Sequence, residues 1–245
     1  MAEQQAITVL KRDQLGRVER VEGAHGACVR RVASGSALPL SGLLARLFAG
    51  RERRALAALA GLEGVPRLVR DPALEAPRPD AVVLRSFIEG RALSRAEELP
   101  EDFFEHLDRL VAALHARGVC HNDLHKEQNI LVGADGLPYL LDFQLASVHA
   151  RRGALFASRV REDLRHVEKH RRRYTRLGRG PRGQSQAGAG AAYRRSWIAR
   201  AWKRGVKPLY EFASRRVLGT QDGEERRSEN GPWPRWTPPL GARRG

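Results

Sequence analysis

Two carboxylates and a carboxamide stand close together near the middle of the 245-residue sequence. Asp123 and Asn129 lie within the segment 118–132, and Asp142 follows Asp123 by 19 residues, at the end of a short apolar run. Mg²⁺ accepts carboxylate and amide oxygens, and a carboxylate can orient the hydroxyl group that receives a phosphoryl group. These residue types therefore predict phosphoryl transfer, with one aspartate at the acceptor and the asparagine and second aspartate holding Mg²⁺ against the phosphates of ATP.

Short elements on both sides must position these side chains. Residues 131–132 and 139–141 flank a Gly-Ala-Asp-Gly turn, a pattern that predicts a β-hairpin whose second strand carries Asp142. Ahead of Asp123, apolar residues recur at helical spacing over 101–117 and form one continuous face. We therefore expect a packed helix to lead directly into the loop of Asp123.

The first third of the chain is typical of a strand-rich unit that includes one helix. Strands are predicted at residues 6–10, 17–21 and 27–32, joined by short turns that contain glycine. The leucines of residues 43–62 have helical spacing, and the apolar run 81–84 predicts a further buried strand.

The order of these elements, together with the motif, resembles the protein-kinase-like superfamily over residues 6–175. The resemblance is carried by His-x-Asp-Leu at 121–124, Asn-Ile-Leu-Val at 129–132 and Leu-Asp-Phe at 141–143. It is closest to compact bacterial kinases related to RIO kinases and to lipopolysaccharide-core (Kdo/heptose) kinases. The resemblance implies an α+β, bilobal fold with a small β-rich N-lobe, a reduced helical C-lobe and a basic C-terminal extension.

The same resemblance divides the chain into four parts. Residues 1–90 are expected to form the N-lobe, and residues 91–175 the core of the C-lobe with the catalytic and metal loops. A linker and a basic, Trp-bearing helical segment follow at 176–218, and residues 219–245 are expected to be a disordered tail.

By position, the resemblance assigns roles to the residues of the two loops. Asp123 matches the aspartate that orients the acceptor hydroxyl, while Asn129 and Asp142 match the Mg²⁺ ligands. Lys126 is a further catalytic candidate that would touch the transferred phosphoryl group, with a solvated loop lysine as the alternative.

Nucleotide-binding residues are implied as well. Arg30 matches the strand cation that grips the phosphates, and Glu52 matches the helix glutamate that pairs with it, while Arg31 or Lys11 are alternatives for the phosphate contact. The reduced glycine loop and the hinge add the remaining predicted contacts, which are Lys11, Gly16, Phe87 and Ile88.

Charge is distributed very unevenly along the sequence. The net charge is +16; residues 1–150 carry a net charge of −1 and residues 151–245 one of +17, together with all four tryptophans. Such asymmetry indicates an anionic partner. For the Trp- and Arg-bearing segment 193–216 we weigh three interpretations: packing on the C-lobe, binding to an anionic membrane surface, and, least favoured, binding to RNA.

Compartment signals are modest. The two cysteines, Cys28 and Cys120, lie far apart and have no metal-binding spacing, which favours reduced thiols. The sequence shows neither a signal-peptide pattern nor an apolar run of about 18 residues that could span a membrane. We expect a cytoplasmic protein, which the basic segment would place at the inner face of the cell membrane.

Together these features predict an ATP- and Mg²⁺-dependent phosphotransferase that moves the γ-phosphoryl group to a hydroxyl acceptor. The acceptor is either a protein Ser/Thr or a sugar of the lipopolysaccharide core. The alternatives are a pseudokinase that binds without turnover and an RNA- or ribosome-associated factor related to RIO kinases.

Overall fold

The computed structural model describes residues 7–13, 16–23, 26–34, 41–71, 74 and 81–176. In the first part, four strands form an antiparallel sheet in the order β1-β2-β3-β4. They are β1 (Ile7–Asp13), β2 (Gly16–Gly23), β3 (Gly26–Ala33) and β4 (Val82–Ser86). Helix α1 (Ser41–Ala58) packs against β3 and β4, so the predicted strands and the first helix are confirmed.

The remaining described elements surround the motif. A three-stranded sheet has the order β5-β7-β8, and β6 pairs with β9. The elements in chain order are β5 (Gly90–Ala92), α2 (Phe103–Ala116), β6 (Val119–Cys120), β7 (Ile130–Gly133), β8 (Pro138–Leu140), β9 (Ser147–Val148) and α3 (Ala154–Arg176). The predicted hairpin is therefore present as β7 and β8, with Asp142 two residues beyond its second strand.

Most of the buried apolar surface belongs to a core built by all three described helices and by the strands around the motif. Helix α2 contributes its predicted apolar face to this core, namely Phe103, Phe104, Leu107, Leu110, Val111 and Leu114. The helix ends at Ala116, and Gly118, two residues later, has a φ of 75°, the left-handed conformation that glycine adopts readily after a helix. A smaller core of Val21, Cys28, Leu74 and Leu84 lies within the first sheet.

Helix α3 is longer than the sequence pattern predicts. We expected a basic helix over 162–174, whereas the helix begins at Ala154 and ends at Arg176. Of the residues in its first two turns, Phe156 alone is buried. None of the described helices is long and apolar enough to cross a membrane.

The mixed α/β arrangement, with a small antiparallel sheet and three helices among the described residues, fits a kinase-like fold. Our predictions for the linker, the Trp-bearing segment 193–216 and the tail 219–245 fall outside the described residues.

Candidate active site

Asp123 lies at the centre of a small polar cluster, and only 3% of its surface is exposed. Its Oδ1 is 3.0 Å from Nδ1 of His125, and its Oδ2 is 3.3 Å from Nζ of Lys126. Asn129 donates from Nδ2 to the same Oδ2 at 2.9 Å and to the backbone oxygen of Asp123 at 3.0 Å. Asn129, six residues after Asp123, is thus in direct contact with it, and a single 3-10 turn at Glu127–Asn129 lies between them.

The charge state of Asp123 follows from these contacts. Burial alone would raise the pKa of the carboxyl group, but the hydrogen bond from His125 and the charge of Lys126 outweigh it, so the pKa is lowered from its ordinary value of 3.8. Asp123 is therefore an anion at neutral pH and can accept a hydrogen bond from a hydroxyl group.

The metal loop is tied to the loop of Asp123 by backbone contacts. Leu141 donates its N–H to the backbone oxygen of Asn129 at 2.8 Å, and Nε2 of His121 lies 2.8 Å from the oxygen of Leu141. A carbonyl can only accept, so Nε2 of His121 carries the proton. Asp142 follows with a φ of 61°, a left-handed conformation that aspartate tolerates better than most residues.

The side chains of these loops fit a magnesium ion. Oδ1 of Asp142 is buried without a hydrogen bond from any described residue. Asn129 uses its amide nitrogen for Asp123, so its amide oxygen is the atom that it can offer to a cation. A carboxylate oxygen and an amide oxygen are ligands that Mg²⁺ accepts.

Asp163 of α3, which was not among the predicted site residues, supports the loop of Asp123 with its buried side chain. Its side chain is 1% exposed and accepts hydrogen bonds from the backbone N–H groups of His121 and Asn122, both at 2.9 Å. Nε2 of His115 lies 3.1 Å from the same carboxylate. Asn122 has a φ of 65°, so these bonds hold a left-handed turn immediately before Asp123. Asp163 lies among the buried residues on one face of α3, and a carboxylate at such a position is the sequence signal that could have identified it.

The far end of α3 holds the other side of the loop. Glu127 accepts hydrogen bonds from Arg173 at 2.8 Å and from the hydroxyl of Tyr174 at 3.0 Å, while His170 donates to the backbone oxygen of Leu124 at 2.8 Å. Burial would raise the pKa of Glu127, but its hydrogen bonds and the charge of Arg173 lower it from the ordinary 4.5. Helix α3 therefore holds the loop of Asp123 on both sides of that residue, at 121–122 and at 124 and 127.

On the sheet side, Glu52 of α1 is fully buried and lies between two arginines. Its Oε1 contacts Nη1 of Arg85, and its Oε2 is 3.3 Å from Nε of Arg31. Nη2 of Arg31 is 3.8 Å from Oδ1 of Asp142, so this arginine connects the glutamate with the metal loop. Burial, together with the nearby charge of Arg31, lowers the pKa of Arg85 to about 10, which leaves it protonated at neutral pH.

The structure corrects the predicted pairing of Arg30 with Glu52. Arg30 pairs instead with Glu19, its cross-strand neighbour, with both Nε and Nη2 at 2.8 Å from Oε2. Successive side chains of a strand point to opposite faces of the sheet. Arg31 therefore takes the face that packs on α1, whereas Arg30 takes the other.

The glycine-loop candidates lie on the paired strands β1 and β2. Gly16 opens β2 with a φ of 144°, and a Cβ atom there would lie 1.9 Å from the backbone oxygen of Val32. Glycine is therefore required at this position for packing against β3. Lys11 lies in β1 opposite Val18. Contacts of these two residues with a nucleotide stay predictions.

The hinge candidates follow β4 directly. Phe87 donates its N–H to the backbone oxygen of Ala27 at 3.1 Å, and the guanidinium of Arg20 lies 4.6 Å from the centre of its ring. Ile88 is the next residue of the same half-buried connection. Adenine binding by Phe87 and Ile88 stays a prediction.

Comparison with known families agrees with this geometry. Residues 49–151 match the model of the phosphotransferase enzyme family (APH), a range that contains Glu52, Asp123, Asn129 and Asp142. No curated protein matches the chain significantly. The family match supports the kinase-like superfamily and phosphotransfer as the general activity.

Proposed function

We propose that this protein transfers the γ-phosphoryl group of ATP, with Mg²⁺, to a hydroxyl acceptor. The observation that carries the proposal is the direct contact of Asp123 with Asn129, whose backbone oxygen in turn accepts the N–H of Leu141, the residue before Asp142. Phosphoryl transfer depends on positioning and charge neutralisation more than on covalent chemistry, and this arrangement supplies both.

In the proposed reaction, Asp123 orients the acceptor hydroxyl and takes its proton as the acceptor oxygen bonds to phosphorus and the bond to ADP breaks. The ionised state of Asp123 suits this task. Lys126, whose ammonium group lies 3.3 Å from the Asp123 carboxylate, is positioned to offset negative charge on the transferred group.

Asn129 and Asp142 would hold Mg²⁺, which neutralises the charge of the phosphates. Arg31 is our revised candidate for the phosphate contact, because it lies between Glu52 and Asp142, whereas Arg30 is engaged by Glu19. Together these residues would hold the nucleotide on the sheet side of Asp123.

We further propose the finer features that the resemblance implies. These are two lobes divided near residue 90, closeness to RIO-like and lipopolysaccharide-core kinases, and an acceptor that is either a protein Ser/Thr or a core sugar. A cytoplasmic protein with a peripheral membrane position would suit the second acceptor.

The test is thermal stability with saturating ATP, with and without Mg²⁺. Ligand at about 100 times its dissociation constant adds roughly 2.7 kcal/mol to the free energy of unfolding. We expect a Mg²⁺-dependent shift that Asp142→Asn abolishes. The matched control is Asp135→Asn, in the β7–β8 turn, where the carboxylate bonds to the hydroxyl of Tyr139 and the N–H of Leu137.

A wild-type protein that shows no shift under any condition would contradict the proposal. A shift of equal size without Mg²⁺ would instead support the alternative of a nucleotide-binding module without turnover.

A further inference from the structure

A second buried arginine shares Glu52 with Arg31. The two oxygens of the glutamate are divided, with Oε1 at Arg85 and Oε2 at Arg31. Arg85 is 7% exposed and Glu52 is fully buried, so water screens their interaction very little. Asp142 is the next carboxylate, 3.8 Å from Arg31, and the four side chains together carry no net charge.

The charge on Glu52 decides how firmly Arg31 is held. A buried carboxylate with one cation binds that cation tightly, because an uncompensated buried charge is very costly. Arg85 already supplies the counter-charge to Glu52. Arg31 touches the glutamate through Nε, at the inner end of its fork, while its terminal Nη2 lies by the metal loop.

The sheet places both arginines on the same face. Arg85 pairs with Val29, and Arg31 pairs with Val83, so the two arginines occupy neighbouring positions on the side that packs against α1. Arg85 is also the second-last residue of β4, immediately before the predicted hinge. It therefore connects the strand next to the adenine candidates with the glutamate next to the phosphate candidate.

We infer that Arg85 is a positioning residue: by neutralising Glu52, it leaves the outer guanidinium nitrogens of Arg31 to bind the phosphates of the nucleotide. The inference rests on the proposed function. It predicts a specific coupling, in which loss of Arg85 lets Glu52 draw Arg31 away from the phosphates, and removal of the charge on Glu52 releases Arg31 again.

The experiment measures the dissociation constant of Mg-ATP by calorimetry for the full-length wild type, Arg85→Met, and the double variant Arg85→Met/Glu52→Gln. Loss of one charged contact to a phosphate should weaken binding about tenfold in Arg85→Met. In the double variant we expect recovery to within roughly threefold of the wild type. A purely structural arginine would lower the melting temperature but would not be rescued by Glu52→Gln.

The matched control is Arg53→Met. Arg53 also ties α1 to β4, but through a backbone carbonyl, since its Nη2 donates to the oxygen of Val82 at 2.9 Å. Its loss should lower stability and leave the affinity for Mg-ATP unchanged. If Arg85→Met fails to fold, Arg85→Lys takes its place: with the charge retained, binding should stay within about threefold of the wild type.

If Arg85→Met binds Mg-ATP as tightly as the wild type, the inference is overturned and the proposed function still stands. The same holds if the double variant binds no more tightly than Arg85→Met. A tenfold loss in Arg85→Lys would likewise overturn it. A wild type that binds no Mg-ATP would overturn the proposed function first, and the inference with it.

Discussion

The catalytic loop and the first sheet hold their site residues by different means. Around Asp123, helix α3 supports the backbone through hydrogen bonds: the N–H groups of His121 and Asn122 donate to Asp163, and His170 donates to the oxygen of Leu124. On the sheet, the supports are ion pairs between side chains.

This difference indicates which substitutions the loop of Asp123 and the first sheet each tolerate. A hydrogen bond to a backbone group does not require a particular side chain at that residue, so the bonds from α3 do not by themselves depend on which side chains residues 121, 122 and 124 carry. An ion pair between side chains depends on which face of the strand each residue occupies, so a shift of one residue exchanges Arg30 for Arg31. Four predictions test this comparison, beginning with the largest expected effect.

Replacement of Asp123 by asparagine should affect chemistry alone. Without a carboxylate to take the acceptor proton, the rate of phosphotransfer should fall by about 10²–10⁴-fold, while Mg-ATP binding persists. Single-turnover kinetics and calorimetry on the same preparation measure the two quantities. Turnover at the wild-type rate would remove Asp123 from the proposed mechanism, and Asp135→Asn is the control.

Replacement of Asp163 by asparagine should destabilise the loop from outside it. The amide nitrogen cannot accept a hydrogen bond, so one buried N–H of His121 or Asn122 loses its partner, which costs about 1–3 kcal/mol of unfolding free energy. Urea denaturation measures the loss. Asp108→Asn, at a partly exposed pair with Arg171, is the comparison and should cost less than about 1 kcal/mol. Equal losses in the two variants would contradict the role of Asp163.

The paired variants Arg31→Met and Arg30→Met test the two faces of β3. We expect the KM for ATP to rise about tenfold in Arg31→Met, because that side chain lies next to Asp142. Arg30→Met removes the pair with Glu19 and should change stability more than KM. The opposite result, with KM raised by Arg30→Met alone, would restore the original assignment.

The smallest effect is expected at Glu127. Glu127→Gln should lower the unfolding free energy by about 1 kcal/mol at pH 7. Folding lowers the pKa of this carboxyl group below 4.5, so its stabilising contribution is complete above pH 4.5 and disappears as the pH falls through the folded value. Denaturation from pH 7 to pH 3 should therefore show wild type and variant converging only at the acid end. A constant difference would contradict the assignment.

Local pattern was sufficient for the elements that carry the motif. The apolar face of α2 and the turn between β7 and β8 are read from neighbouring residues, and both are confirmed. The motif also identified Asp123, Asn129 and Asp142, and in the structure hydrogen bonds join Asn129 to Asp123 and to Leu141, the residue before Asp142.

Contacts between residues far apart in the sequence could not be predicted from local patterns. The contact of Asp163 with His121 spans 42 residues; the place of Asp163 in the buried stripe of α3 indicates that it is buried but does not identify this partner. The predicted pairing of Glu52 with Arg30 was wrong for a different reason. Arg30 and Arg31 are both basic, and only the face of β3 on which each side chain lies distinguishes them. Arg85 follows an apolar run in the sequence, and its partner Glu52 is 33 positions away, so local spacing does not indicate this pair.

The position of Asp163 bears on how this protein can be shortened. The family match ends at residue 151, before α3 begins at Ala154. A fragment cut at that boundary would keep every candidate ligand and lose both anchors of the catalytic loop. A fragment for expression, crystallisation or fusion should therefore include α3 through Arg176 if these contacts to the loop of Asp123 are to be kept.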